Sequence, residues 1–326
     1  MDGKSSQIKI SVIVPTYNRA QMLSNTLRSI KCQSLQEEAY EIIVVDNGSK
    51  NNTQEIVRQV NQEEGKRVHY ICEPNLGLHN ARHAGARKSI GEILAYTDDD
   101  VVCDKNWLTA LLNEYHSDEI VCVGGKILPK WEVPPPKWMR FFDPWTLCLL
   151  DYGDTVIECK WPQNPFGCNF SIRKDILFEL GGFNPECMGE NWIGDGEAGL
   201  LRRIYAKKYK VIYTPEAIVW HIVYSDRITP YGMRRRLSNF GAAHSCADYK
   251  LYKYSPFKLL LRSNLFLMKY IKHSLLGLCD RYMKRDIFHF REALKSYNKS
   301  RALYELRLIF DRELIKLVAR EDWING

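Results

Sequence analysis

The sequence predicts an α/β fold with a doubly wound sheet, and three observations carry that expectation. Near the start of the chain, short β-branched runs alternate with stretches whose apolar residues recur at helical spacing. Alternation of this kind builds a parallel sheet covered by helices on both faces. Three of the runs end in polar clusters, and ligands of such sheets sit beyond the carboxyl ends of the strands. A chain of 326 residues with 45% hydrophobic content also has enough apolar material for the core.

Ile10 to Val14 reads as a buried strand, and the helix after it carries Leu23, Leu27 and Ile30. Glu41 to Val45 (EIIVV) is a second strand, followed by a helix with Ile56, Val57 and Val60. Arg67 to Cys72 is a third, then a helix near Leu78 to Ser89, then Glu92 to Thr97 as a fourth. Strand one runs out into Pro15-Thr16-Tyr17-Asn18-Arg19, strand two into Asp46-Asn47-Gly48-Ser49 and strand four into Asp98-Asp99-Asp100. In a doubly wound sheet all three clusters line one rim. Singly, Asp46 or Ser49 would serve as a helix cap; their convergence indicates a site.

An acidic triplet leaving a strand is costly unless solvent or a cation relieves the mutual repulsion. Carboxylate oxygens suit hard divalent cations such as Mn2+ or Mg2+. Two carboxylates leave coordination positions open, which two phosphate oxygens can fill. Alone, a DxD is a short and common pattern. Its place after EILAYT, at the end of the fourth strand, gives it weight.

The segments SVIVPTYNRA, EIIVVDNGS, NLGLHNARHAGARKSIGEILAYTDDDV and GCNFSIRKDILFELGGFNPE resemble the family 2 glycosyltransferases, which are inverting enzymes of the GT-A fold. The resemblance covers roughly residues 8 to 225. It implies a Rossmann-like, doubly wound mixed sheet in a domain over 1–225, with a nucleotide-binding half at about 8–127 and an acceptor half at about 128–225. Residues 226–326 remain as a basic, helical C-terminal extension. The family implies a nucleotide-sugar donor, a UDP-sugar first among them, and Mn2+ or Mg2+. The implied acceptor is a carbohydrate or lipid-linked hydroxyl, in polysaccharide or glycolipid biosynthesis.

Position by position, Thr16 and Tyr17 after Pro15 match the segment that cradles the nucleoside, continuing through Asn18 and Arg19. Asp46 matches the acid that hydrogen-bonds the base, and Asn75 and Gly77 the loop beside the nucleotide. Arg82 stands where relatives have an Arg-Asn pair near the donor, with His83 in place of the Asn. Asp98 and Asp100 match the DxD, the first meeting ribose or sugar and also a candidate ligand, the last ligating the metal. Asp99 between them is expected to be structural. His221 (IVWHIV) matches a histidine that completes the metal shell or meets the diphosphate in some members; its alternative is a buried structural histidine.

The base position falls on Glu197 when counted back from Tyr209 through Arg203, with Gly196 where the partner acid normally sits. The acidic pair is thus split into Asp195 and Glu197, with Glu197 favoured as base and Asp195 the alternative. Both would also charge a helix N-terminus favourably. The flanking glycines suggest close approach of a substrate.

The net charge of +7 hides a division: Arg227 to Gly326 holds 21 Lys/Arg against 9 Asp/Glu. The apolar residues Leu259, Phe266, Tyr270 and Leu275 to Leu278 are interleaved there with Lys258, Arg262, Lys269 and Lys272. This predicts either helices packed on the sheet, which is favoured, or a basic amphipathic surface lying on a membrane. The arginines of Arg227 to Arg236 are candidates for phosphate contact. A proline-rich stretch at 129–165 carries Trp131, Trp138, Trp145 and Trp161, as satellite core or as a platform for sugar faces.

Several classes are set aside. MDGKSSQIKI has no apolar h-region of a secretory signal, and no run of spanning length follows. The ten cysteines lack CxxC spacing, which fits reduced, cytoplasmic usage; if the basic C-terminal region lies on a membrane, the protein is peripheral at its inner face. PTYNRA lacks the glycines of a nucleotidyltransferase or dinucleotide-binding turn. A non-catalytic module gripping nucleic acid or membrane would leave the DxD, base and nucleotide segment unexplained, and nucleic acid is not an expected partner.

Overall fold

The computed structural model describes residues 8–63, 65–188 and 191–325; residues 1–7, part of the stretch bearing on a secretory signal, lie outside them. β1 (Ile10–Thr16) is buried along its length, and α1 (Ala20–Lys31) turns Leu23, Leu27 and Ile30 inward. β2 (Tyr40–Asp46) leads to α2 (Thr53–Val60), β3 (Val68–Cys72) to α3 (Leu78–Lys88), and β4 (Ile93–Tyr96) to the acidic triplet. β1, β2 and β4 expose neither face, which is why they are written as continuous apolar runs.

The chain continues through β5 (Val101–Cys103), α4 (Trp107–Asn113), β6 (Ile120–Trp131), β7 (Ile157–Glu158), β8 (Phe170–Arg173) and α5 (Lys174–Glu179). A small hairpin of β9 (Cys187–Met188) and β10 (Asn191–Trp192) precedes α6 (Gly196–Ala206) and the long β11 (Lys210–Val223). Among the described residues the main sheet runs β3-β2-β1-β4-β8-β6-β11-β5, with β7 against β11. The four strands from β3 to β4 pair in parallel, as the alternation predicts. The parallel pattern stops at β8, which runs antiparallel to both β4 and β6. No helical crossover precedes β8; an irregular stretch of 3-10 turns delivers it from the opposite direction.

β11 slips register between Thr214 and Val219, where a Cβ on Gly125 would lie 2.0 Å from the Ala217 carbonyl oxygen. Past that bulge β11 gains β5 on its free edge, and His221 comes opposite Val101, the residue after the acidic triplet. This pairing joins two site residues that are far apart in sequence.

Four helices complete the chain: α7 (Pro230–Tyr252), α8 (Pro256–Tyr282), α9 (Phe288–Phe310) and α10 (Arg312–Ala319). α7 and α8 each start with Pro after a capping hydroxyl, Thr229 accepting from Gly232 N and Ser255 from Lys258 N. Met233, Leu237 and Ala293 join the main core, while Cys246, Leu259, Tyr304 and Leu314 belong to a second cluster. The C-terminal segment returns to the sheet, where Trp323 N donates to Gly181 O and Arg87 to Ile324 O.

The tryptophans differ in how they pack. Trp131 and Trp138 pack on the core, whereas Trp145 lies against Phe240 and Trp161 against Tyr205 with much of each ring exposed. Among the described residues no helix is long and apolar enough to cross a membrane.

Candidate active site

The ends of β1, β2 and β4 meet, and polar side chains stitch them together. Thr16 Oγ1 donates to Asp99 Oδ2 at 2.7 Å, and Asn47 N donates to Thr16 O at 2.9 Å. Asn18, in the left-handed region at φ 56°, takes a hydrogen bond from Lys50 N and gives one to Ser49 Oγ, each 2.8 Å. Pro15 is buried in β1, and Tyr17 is 46% exposed. Asp46 accepts from Ser49 N at 2.8 Å and from the Tyr70 hydroxyl at 2.7 Å. Its carboxylate therefore closes the loop after β2 and caps no helix; Asn52, at the N-cap of α2, makes no side-chain capping bond either.

Asn47 extends the same network to the loop before α3. Its amide nitrogen donates to Glu73 O and Asn75 O, and its oxygen accepts from Gly77 N. Gly77 sits at φ 137°, and a Cβ there would lie 2.7 Å from the His79 ring, so only glycine fits.

The acidic triplet divides by environment. Asp99 is buried, accepts from Thr16 and Arg19, and is pushed up to about 6 by burial, against the pull of the Arg19 charge. Asp98 is more open and lies 3.9 Å from Arg82 Nη2. Asp100 is 1% exposed, and its Oδ2 accepts from Arg19 at 2.9 Å and Arg227 at 2.5 Å. Burial opposes its charge, but the Arg227 and Arg19 guanidiniums beside it hold its carboxyl below the usual range.

His221 Nδ1 lies 3.0 Å from Leu147 O, a group that can only accept, so Nδ1 carries the ring proton. Nε2 is then the lone-pair side, taking a hydrogen bond from Arg227 Nη1 at 2.8 Å. It faces Asp100 Oδ1 at 3.5 Å, and that oxygen is buried without a hydrogen-bond partner. Two lone-pair atoms facing each other with no proton between them suit a divalent cation. Of the three candidate ligands, Asp100 and His221 come together and Asp98 turns to Arg82. Among the described residues no group of three His, Cys, Asp or Glu forms a cation cage.

On the other side of Arg82 stands Glu197, in the first turn of α6. Arg82 Nη1 donates to Glu197 Oε2 at 3.3 Å, and Gly167 N donates to Oε1 at 3.2 Å. Burial works against the Glu197 charge, but these two donors hold its carboxyl below the usual range. Gly167 leaves room for that guanidinium, since a Cβ would lie 2.2 Å from Arg82 Nη2 and push it aside. The Arg82 guanidinium also lies over the Phe183 ring at 5.0 Å.

Asp195 is placed differently. Its buried carboxylate accepts from Asn184 at 2.6 Å, from Arg202, and from Lys250 of α7 at 3.5 Å. The glycines around this pair have an internal cause, and the expectation that they admit substrate is corrected. A Cβ on Gly196, at φ 49°, would lie 2.7 Å from Glu186 Oε1, and one on Gly194 would lie 1.9 Å from Pro185 O. His83, in the family's Asn position, is buried and accepts from Phe183 N at 2.8 Å; burial pushes it down to about 3.

One participant escapes sequence reasoning, and a second is legible in it only in part. Glu186 packs beside Gly196, and burial together with the Glu197 charge pushes its carboxyl up to about 8. Only its place in the GGFNPE motif hints at a role. Arg227 was legible as a phosphate candidate, but its grip on Asp100 and His221 depends on the turn after β11.

Comparison with known proteins gives the chain its relatives. A glucosyl-dolichyl phosphate glucuronosyltransferase of Haloferax volcanii is 27% identical over 228 residues, spanning 68% of this chain and 71% of that protein. Glycosyltransferase AglE of the same organism is 33% identical over 215 residues, 65% and 66% of the two chains. Among solved structures, the mannosyltransferase PcManGT from Pyrobaculum calidifontis, in complex with GDP-Man and Mn2+, superposes with a TM-score of 0.61 at 16% identity. That match covers 94% of this chain and 88% of the mannosyltransferase and shows a shared GT-A fold. The profile of glycosyl transferase family 2 matches residues 11–181, more than half of the chain, and the chain belongs to that family of glycosyltransferases.

Proposed function

We propose that this chain transfers a sugar, with inversion, from a nucleotide diphosphate donor to a carbohydrate or lipid-linked hydroxyl, with a UDP-sugar the first donor to test. The observation that carries the proposal is Glu197: a half-buried carboxylate kept ionised by Gly167 N–H and Arg82, and one guanidinium away from Asp98. The GDP-Man and Mn2+ bound to the similar mannosyltransferase support a nucleotide-sugar and a divalent cation. The dolichyl phosphate relative supports a lipid-linked acceptor.

The rim of Thr16, Tyr17, Asn18 and Arg19 takes the nucleoside, with Asn75 and Gly77 beside it. Asp46, already held by Ser49 and Tyr70, has lone pairs left to accept from the base. Asp98 meets ribose or sugar, and Arg82 lies between it and Glu197. Asp100 Oδ1 and His221 Nε2 would hold Mn2+ or Mg2+, with Asp98 in reserve. When bound, that cation supplies positive charge against the diphosphate leaving group.

Glu197 takes the proton of the acceptor hydroxyl as its oxygen attacks the anomeric carbon in line. A single displacement inverts that centre and needs no second nucleophile. Asp195 is the weaker base because Arg202 and Lys250 already neutralise it. The test is a panel of nucleotide-sugars assayed for nucleotide release with Mn2+, Mg2+ or EDTA. Undiminished release in EDTA would remove the cation from the account, and a Glu197→Gln variant with wild-type rates would move the base to Asp195.

A further inference from the structure

α8 is apolar on two faces. One packs on α9: Leu259 and Phe266 are buried, Ser263 Oγ donates to Ala302 O at 2.9 Å, and the Arg301 guanidinium lies 4.1 Å from the Phe266 ring centroid. The opposite face is open. Phe257, Leu261, Met268, Ile271, Leu275 and Leu278 follow one another along it, each between 49% and 71% exposed. Leu260, Leu265 and Leu267 widen the stripe, at 43% to 48% exposed. A helix of 27 residues carries it for about 40 Å, and an apolar surface of that extent normally has a partner.

The charges beside the stripe have one sign. Lys258, Lys269, Lys272 and Arg281 are exposed along α8. Its one acidic residue, Asp280, is 3% exposed and ion-paired with Arg285 and Arg291.

We infer that this face of α8 docks on a lipid membrane bearing anionic headgroups, the helix lying in the plane of the interface. Its apolar residues enter the headgroup–acyl boundary, and its lysines meet the headgroups. The helix lies on the membrane and does not cross it, since among the described residues none is long and apolar enough to span. The spacing of Phe257, Leu261, Met268, Ile271, Leu275 and Leu278 would also suit a seam between two copies of the chain. The flanking positions argue against that partner. They hold Lys258, Lys272, Arg281 and leucines, with no acid, so a second copy would bring lysine toward lysine where opposite charges usually pair. The inference rests on the proposed function only in that a lipid-linked acceptor would be met at this surface.

The whole chain is floated with vesicles of phosphatidylcholine alone and of phosphatidylcholine with phosphatidylglycerol. The expected result is binding to the second, weakened by salt and reduced about tenfold or more in a Leu261→Glu/Met268→Glu/Leu275→Glu variant. Lys258→Gln/Lys269→Gln/Lys272→Gln should lose the preference for the anionic vesicles. The apolar-face variant should release nucleotide from its donor at the wild-type rate in vesicle-free solution, which separates failure of docking from failure of the catalytic reading. Three results would overturn the inference: a wild-type protein that floats with neither vesicle, an apolar-face variant that floats as well as wild type, or a dimer that this variant dissociates without any vesicle binding.

Discussion

At the ends of β1 and β2, polar groups satisfy one another through hydrogen bonds: Thr16 with Asp99, Asn18 with Ser49 and Lys50, Asp46 with Ser49 and Tyr70, Asn47 with Gly77. At Asp98, Asp100 and Glu197, each carboxylate instead meets a guanidinium, from Arg82, Arg19 or Arg227. The first region is built to keep its shape. The second holds charge in balance with long side chains that a phosphate or cation can draw away. On the proposed function, a nucleoside would find a finished cradle, whereas the reacting groups would be completed by the donor.

Glu197→Gln breaks the comparison most directly. It should lower transfer by about 10²- to 10⁴-fold while donor affinity, set at the β1–β2 rim, stays at the wild-type value by calorimetry. Asp100→Asn acts on the same half and should lower nucleotide release on the order of 10², with a higher Mn2+ concentration needed for half-maximal rate. Gly167→Ala drives a methyl into the Arg82 guanidinium. It should slow transfer and cost about 1–3 kcal/mol of stability in denaturant titration.

The rim was the part most legible in the sequence. The runs IKISVIVPT and YEIIVVD announce strands buried on both faces, and the polar residues that follow them fall together because parallel strands present their carboxyl ends to one side. The acidic side was legible only in part. Nothing local shows that Asp195 is neutralised by Lys250, 55 residues away on α7, or that Gly196 is glycine because Glu186 packs against it. Such contacts depend on how β9, β10 and α6 fold back, which no periodicity encodes. α8 shows the same limit: the sequence offered core packing or a membrane surface as alternatives, and the helix packs one face on α9 while the opposite face is apolar and exposed.

Smaller effects sharpen the contrast. Thr16→Val removes a hydrogen bond within the finished cradle and leaves Asp99 one partner short. It should cost about 1–2 kcal/mol and move Tm while leaving the rate of the chemical step near wild type. Glu186 gives a pH signature of the acidic half. Its folded value near 8 lies above the ordinary glutamate value of 4.5, so between those two the folded state holds a proton that the unfolded chain has lost. Stability from this group therefore declines as pH rises from about 4.5 to about 8, and Glu186→Gln should flatten that slope in Tm measured against pH.

The central claim is that Glu197, kept ionised by Gly167 and Arg82, is the base of a cation-assisted transfer. Its most direct test pairs donor binding with single-turnover transfer in wild type and Glu197→Gln, with Mn2+ present. Equal donor affinity with transfer nearly abolished in the variant is the predicted result; equal transfer rates in the two proteins would contradict it.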